Sequence, residues 1–239
     1  MRRALALLRR MYGPRPCRRW GPAVDILVHT ILSQNTSDTN SSAAYRRLRR
    51  QFPSWNQVLR APLDDVEKSI RVSGLSRVKA PRIQNILRQI KADRGKIDLE
   101  FLKDMTHQQA HDYLMNFKGV GPKTTNCVLL FSFGMPVFPV DTHIHRIAIR
   151  IGSIPHTCGA EEAHGLLKEM IRPADRYVMH VLLITHGRDI CKARNPLCHR
   201  CALAELCAYG LPRTRGQPPR MSYREPASLR TPSHAWSTL

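Results

Sequence analysis

Acidic residues are scarce in this chain: 18 Asp and Glu stand against 38 Lys and Arg in 239 residues, a formal net charge of +20. That deficit points to a polyanionic partner, either nucleic acid or an anionic membrane surface. Long apolar runs are also lacking. No stretch approaches the length of a membrane span, so the membrane has no anchor and nucleic acid is the expected partner. Apolar–polar alternation is absent, which removes the strand signal, and no repeat extends beyond successive helical patterns. No secretory signal is visible either. The first twenty residues hold Arg2, Arg3, Arg9, Arg10, Arg15, Arg18 and Arg19 and no acid, superficially like a transit peptide. Leu5, Leu8 and Tyr12 nevertheless keep helical spacing, so a basic first helix packed on the body is the expectation.

Seven cysteines are present, at positions 17, 127, 158, 191, 198, 201 and 207. An odd total without a secretion signal excludes a disulfide framework and favours metal binding in a reducing, intracellular compartment, the cytoplasm and its nucleoid if the source is bacterial. Cys191-x6-Cys198-x2-Cys201-x5-Cys207 crowds four of them into one short segment. Four thiolates so close in sequence suit tetrahedral zinc or an iron–sulfur cluster, and spacing does not separate the two. Lys192, Arg194 and Arg200 lie in the same loop and make it a basic protrusion able to meet phosphates.

Helical periodicity accounts for most of the rest. Val24, Leu27, Val28, Ile31 and Leu32 mark a buried helix that runs into the polar segment Ser33-Gln34-Asn35-Thr36-Ser37-Asp38. Tyr45, Leu48 and Phe52 continue as a helix to Pro53, with Arg46, Arg47, Arg49 and Arg50 on a solvated or phosphate-facing side. A short helix over 64–70 leads to Ser73-Gly74-Leu75, where Leu75 reads locally as a hydrophobic loop anchor, and Ile83, Ile86, Leu87 and Ile90 give another helix. Asp141 is a natural N-cap for a helix carrying Ile144, Ile147, Ala148 and Ile151. Further helices are expected over 161–171 and 176–186, the second stopped by Gly187. The fold class is all-α. From Leu211 onward Pro, Arg and Ser replace apolar periodicity, so 211–239 is expected to be a disordered basic tail.

The centre of the chain is Phe117-Lys118-Gly119-Val120-Gly121-Pro122-Lys123-Thr124. Thr106 and Gln109 form a capping box for a helix ending near Phe117. Two glycines then make a tight turn, and Pro122 opens a second, apolar helix that ends at Gly134. Backbone N–H groups at such a helix start are a site for a phosphate oxygen. Lys123 sits one residue into that helix, where the macrodipole disfavours an ammonium, so it suits an amine nucleophile as well as a further phosphate contact. Local spacing leaves both readings open.

Taken in order over residues 1–209, these motifs resemble the endonuclease III family of the helix–hairpin–helix (HhH-GPD) DNA glycosylase superfamily. The resemblance implies a central six-helix barrel over 24–135, with the helix–hairpin–helix at 107–134, and an iron–sulfur lobe over 136–210 joined by residues 1–23. It implies that Cys191, Cys198, Cys201 and Cys207 hold a 4Fe–4S cluster rather than zinc. It places Lys123 on the family's Schiff-base lysine and Asp141, in Val140-Asp141-Thr142-His143, on the catalytic aspartate. Leu75 aligns with a wedge that enters the strand opposite the lesion, and Gln34 or Asn35 with the residue that fills the gap left by a flipped nucleotide. Gly119, Val120, Gly121, Thr124, His143, Lys192 and Arg194 fall on its DNA-binding surface. The implied enzyme removes oxidised pyrimidines from duplex DNA as a monomer and cuts the strand by β-elimination. A thymine or uracil mismatch glycosylase and a non-catalytic DNA-binding redox protein are the alternatives. Phe117-Lys118 replaces the family's Leu-Pro before the hairpin, and His145 replaces a frequently aromatic residue.

Overall fold

A computed structural model describes residues 1–210; the expected tail lies outside the described residues. Among those described there are eleven α-helices and no strand: α1 (Arg2–Tyr12), α2 (Ala23–Leu32), α3 (Asp38–Gln51), α4 (Trp55–Arg60), α5 (Leu63–Ile70), α6 (Ser76–Arg94), α7 (His107–Met115), α8 (Pro122–Phe133), α9 (Thr142–Arg150), α10 (Ala160–Met170) and α11 (Arg176–Asp189). The all-α expectation is met. The chain divides into two compact units, one of residues Arg19–Met135 and one that joins Met1–Arg18 to the described residues from Pro136 onward.

In the first unit α2 is the spine. All ten of its residues are buried, and it packs most extensively on α8, of which nine of twelve residues are buried. With every residue buried, α2 has no solvent face, and α3, α6 and α8 close around it. Side-chain caps start three of its helices: at α3 Ser37 accepts from Asn40 N, and at α7 Thr106 with Gln109 forms the expected capping box. A second capping box, Ser54 with Gln57, starts α4, which periodicity did not reveal because only Val58 of its six residues is buried. Arg49 departs from the expected solvated face. Its guanidinium lies 4.4 Å from the centroid of the Trp55 ring and 3.9 Å from Asp25, whose carboxylate also accepts from Tyr45. Leu75 is not a buried anchor, since it is 54% exposed.

In the second unit α9 and α1 both pack on α11. Arg9 pairs with Asp175 at 3.1 Å, and Tyr12 Oη lies 3.0 Å from His186 Nδ1 in a buried contact. Gly187 does not stop α11, which continues to Asp189. A Cβ there would sit 2.7 Å from His143 Cβ, so this glycine permits α9 to approach rather than ending a helix.

Candidate functional site

The hairpin between α7 and α8 forms as its residues dictate. Gly119 has φ +84°, a left-handed conformation open to glycine, and a Cβ there would strike the Arg82 guanidinium at 2.2 Å. Gly121 has an extended backbone and faces open space, so its lack of a Cβ serves whatever approaches from outside. Pro122 at the first position of α8 leaves Lys123 and Thr124 with N–H groups that no helical carbonyl can accept. The turn therefore offers donors and the positive end of a dipole to an anion. Val120 and Thr124 have buried side chains, and Val120 N–H donates to Phe117 O, so Val120 shapes the turn from within. Lys123 is half-buried. Its charge reaches His29 on α2, whose pKa is lowered to about 4 by burial first and then by Lys123 and Arg46.

Two loops join the hairpin in the same unit. Arg82 Nη1 donates to Gln34 Oε1 at 2.8 Å, and Gln34 Nε2 donates to Gly119 O at 3.4 Å. The Gln34 amide is thereby held inward, while Asn35, at φ 53°, is exposed. Leu75 has φ 52° and lies beside Val78, which is 50% exposed. The fully buried Lys79 links both loops, donating to Leu32 O and to Ser73 O at 2.8 Å each. Gln34, Asn35, Leu75 and the hairpin thus share one hydrogen-bonded frame. Sequence reading missed His29, Val78, Lys79 and Arg82. Lys79 and Arg82 stand three apart at the start of α6, but nothing in a sequence says that such a pair turns inward.

In the other unit Asp141 is the N-cap of α9, accepting from Ile144 N at 2.8 Å. His143 packs on Gly187 and accepts at Nδ1 from Arg146 Nη2 at 3.1 Å. Arg146 and Arg150 on α9 then grip the cysteine loop. Arg146 donates to Cys191 O, and Arg150 donates to Lys192 O, Ala193 O and Cys191 Sγ. Lys192 and Arg194 point outward from that loop and are exposed.

Cys191, Cys198, Cys201 and Cys207 line one cavity. Among the described residues no three His, Cys, Asp or Glu groups converge as ligands do around one metal ion. Four thiols spread around a cavity fit a polynuclear cluster better than zinc, whose short bonds draw its ligands together. Burial pushes the Cys201 thiol up to about 12 and raises that of Cys207, so thiolates here are stable only beside a cation. His186 Nε2 and Leu203 N lie 3.2 and 3.3 Å from Cys201 Sγ, donors of the kind that orient a ligating sulfur.

Comparison with known proteins places this geometry. Residues 28–173 match the model of the HhH-GPD superfamily base excision DNA repair proteins, and residues 191–207 match the iron–sulfur binding domain of endonuclease III. The chain is 40% identical over 165 residues to "Putative DNA glycosylase At3g47830" of Arabidopsis thaliana, a match covering 69% of this chain and 56% of that one. It is 32% identical over 187 residues to the endonuclease III of Sulfolobus acidocaldarius, covering 77% and 81%. Superposition on the "Structure of a Trapped Endonuclease III-DNA Covalent Intermediate: Estranged-Adenine Complex" gives a TM-score of 0.76 at 29% identity, covering 90% of this chain and 97% of that one.

Proposed function

Because the chain belongs to the HhH-GPD superfamily of base excision DNA repair proteins, we propose that it is a bifunctional DNA glycosylase and AP lyase, acting as a monomer on oxidised pyrimidines in duplex DNA. The observation that carries this reading is Lys123 itself, an amine on the first turn of α8 directly after the glycine hairpin, in a fold shared with an enzyme trapped covalently on DNA.

In this reading the hairpin N–H groups hold a backbone phosphate and the damaged nucleotide is flipped out of the stack. The neutral Lys123 amine adds to C1′ as the glycosidic bond breaks; its proton is lost and the base departs protonated. The sugar ring then opens, the C1′–O4′ bond breaking as O4′ takes a proton and C1′ forms the imine with the lysine nitrogen; the imine acidifies the C2′ proton, and removal of that proton expels the 3′ phosphate. Asp141, fixed by the Ile144 N–H, is assigned the family's catalytic carboxylate, which offsets positive charge on the sugar. Asn35 fills the vacated gap, since the Gln34 amide is engaged by Arg82 and Gly119, and Leu75 wedges the opposite strand. Residues 24–135 act as the six-helix barrel and 136–210 as the iron–sulfur lobe; of residues 1–23, Met1–Arg18 pack with that lobe, while Arg19 onward belongs with the barrel. Cys191, Cys198, Cys201 and Cys207 hold the 4Fe–4S cluster, which supplies a redox-capable cross-link of the loop that presents Lys192 and Arg194 to phosphates.

Borohydride trapping tests the assignment. On duplexes carrying thymine glycol, uracil or a plain abasic site, wild-type protein is expected to form a covalent adduct on thymine glycol and the abasic site, and Lys123→Gln to form none. DNA binding without an adduct on any duplex would sink the lyase reading; an adduct on uracil but not on thymine glycol would move the substrate to mismatched bases.

A further inference from the structure

Of the three cations on the amino-terminal turns of α6, Arg77 is exposed beside Glu67, while Lys79 and Arg82 turn toward backbone and side-chain oxygens of other loops and the reaction does not use them. Lys79 is 1% exposed, the bulkiest of the fully buried side chains, and its ammonium donates to one carbonyl in each of two loops. Leu32 O is the last carbonyl of α2, at the negative end of the helix dipole and immediately before Ser33-Gln34-Asn35. Ser73 O precedes Gly74 and Leu75, the turn in which Leu75 adopts a left-handed conformation that L-residues avoid. One turn further along, Arg82 donates to Gln34 and lies so close to Gly119 that a Cβ there would displace its guanidinium. The backbone of each loop ends where a cation of α6 meets it.

We propose that Lys79 and Arg82 are positioning residues for base flipping, holding the Gln34–Asn35 loop and the Leu75 turn in one fixed register against the Gly119 hairpin. This inference rests on the reading that Leu75 and Asn35 enter the DNA stack. The two cations touch no reacting atom. A buried ammonium with two carbonyl partners is a rigid strut, because breaking either bond strands a charge in an apolar interior. Local backbone bonds tie the Leu75 turn to α6, through Val78 N and Lys79 N, and Ser33–Gln34 to the end of α2, but they do not tie the two loops to each other; a wedge displaced by an ångström no longer meets the stack. The device makes flipping depend on α6, while the imine chemistry on a sugar already lacking its base does not.

The test uses full-length protein and a duplex with 2-aminopurine opposite thymine glycol, whose fluorescence rises when the wedge unstacks it. Lys79→Met is expected to bind the duplex but to lose the fluorescence rise, and to slow single-turnover base release by ~10- to 100-fold. Cleavage of a preformed abasic site should change by less than about threefold. Arg82→Gln, at a partly exposed position, should show the same pattern more weakly, and Arg82→Lys should restore part of it. If Lys79→Met does not fold, the arginine pair decides the matter by itself. Equal losses on both substrates, with the fluorescence rise intact, would reduce the two residues to structural supports and overturn the proposal. A Leu75→Ala protein that keeps the full rise would instead show that the wedge assignment is at fault, a result distinct from failure of Lys79 and Arg82 to position it.

Discussion

At the scale of single residues, strain and burial collect around the proposed DNA-reading loops. Leu75 is exposed in a left-handed conformation, which costs a branched side chain about 1 kcal/mol. Asparagine tolerates that conformation better. Leu75→Asn is therefore expected to raise the free energy of unfolding by ~0.5–1 kcal/mol while weakening flipping of a paired lesion, measured by urea denaturation and by single-turnover base release. A loss on both measures would mean that Leu75 is there for stability. His29 gives a pH dependence. Its ordinary value of 6.5 falls to about 4 in the folded state, so the fold selects the neutral ring. That stability is complete well above pH 6.5 and is lost as pH falls toward 4, by ~1–2 kcal/mol between pH 6.5 and pH 5. His29→Leu should remove this share of the acid sensitivity when urea midpoints are compared at the two pH values; undiminished sensitivity would place its origin elsewhere.

At the scale of elements, caps and inward-turned arginines tie helices to loops. Arg150 on α9 bonds two carbonyls and one sulfur of the cysteine loop and stacks 4.4 Å over the Tyr209 ring. Two of these bonds are exposed, which places the cost of losing them at the low end of the ~1.5–3 kcal/mol for charged donors. Arg150→Met should accordingly lower the thermal midpoint and speed loss of visible absorbance on exposure to an iron chelator, with the Lys123 adduct on abasic DNA still formed. An unchanged rate of bleaching would show that the loop is held by its cysteines alone. The capping boxes at Thr106 and Ser54 could both have been read from sequence, yet only the first was placed, because α4 buries too little apolar surface to announce itself. Gly187 was misread for a related reason: a glycine inside a helix means a close neighbour as readily as a helix end, and the neighbour, His143, is 44 residues away.

At the scale of the molecule, the +20 charge makes DNA affinity depend on salt. Neutralising ~6 phosphates gives a slope of about −5 in log K against log[salt], measurable by fluorescence anisotropy on an undamaged duplex. A slope near zero would contradict a backbone-contacting groove. Purified under air, the protein should be brown with four irons per chain, and Cys198→Ser should lose the colour; a colourless protein with one zinc would return the site to the tetrahedral alternative.

The sequence by itself determined the all-α class, the hairpin with its lysine, the N-cap at Asp141 and the cysteine set, because each is written in residues a few positions apart. Caps, glycine turns and ligand spacings are short-range physics, legible without a fold. Tertiary structure alone decided that the Gln34 amide bonds Arg82 and Gly119 while Asn35 is exposed, that Leu75 is exposed rather than a buried anchor, that Arg49 turns inward, and that Lys79 and Arg82 tie distant loops together. Each of those depends on which distant carbonyl, ring or carboxylate a long polar side chain meets once the helices have packed. Periodicity marks the face that buries apolar carbon; it carries no signal for a cation drawn inward by backbone oxygens from elsewhere in the chain.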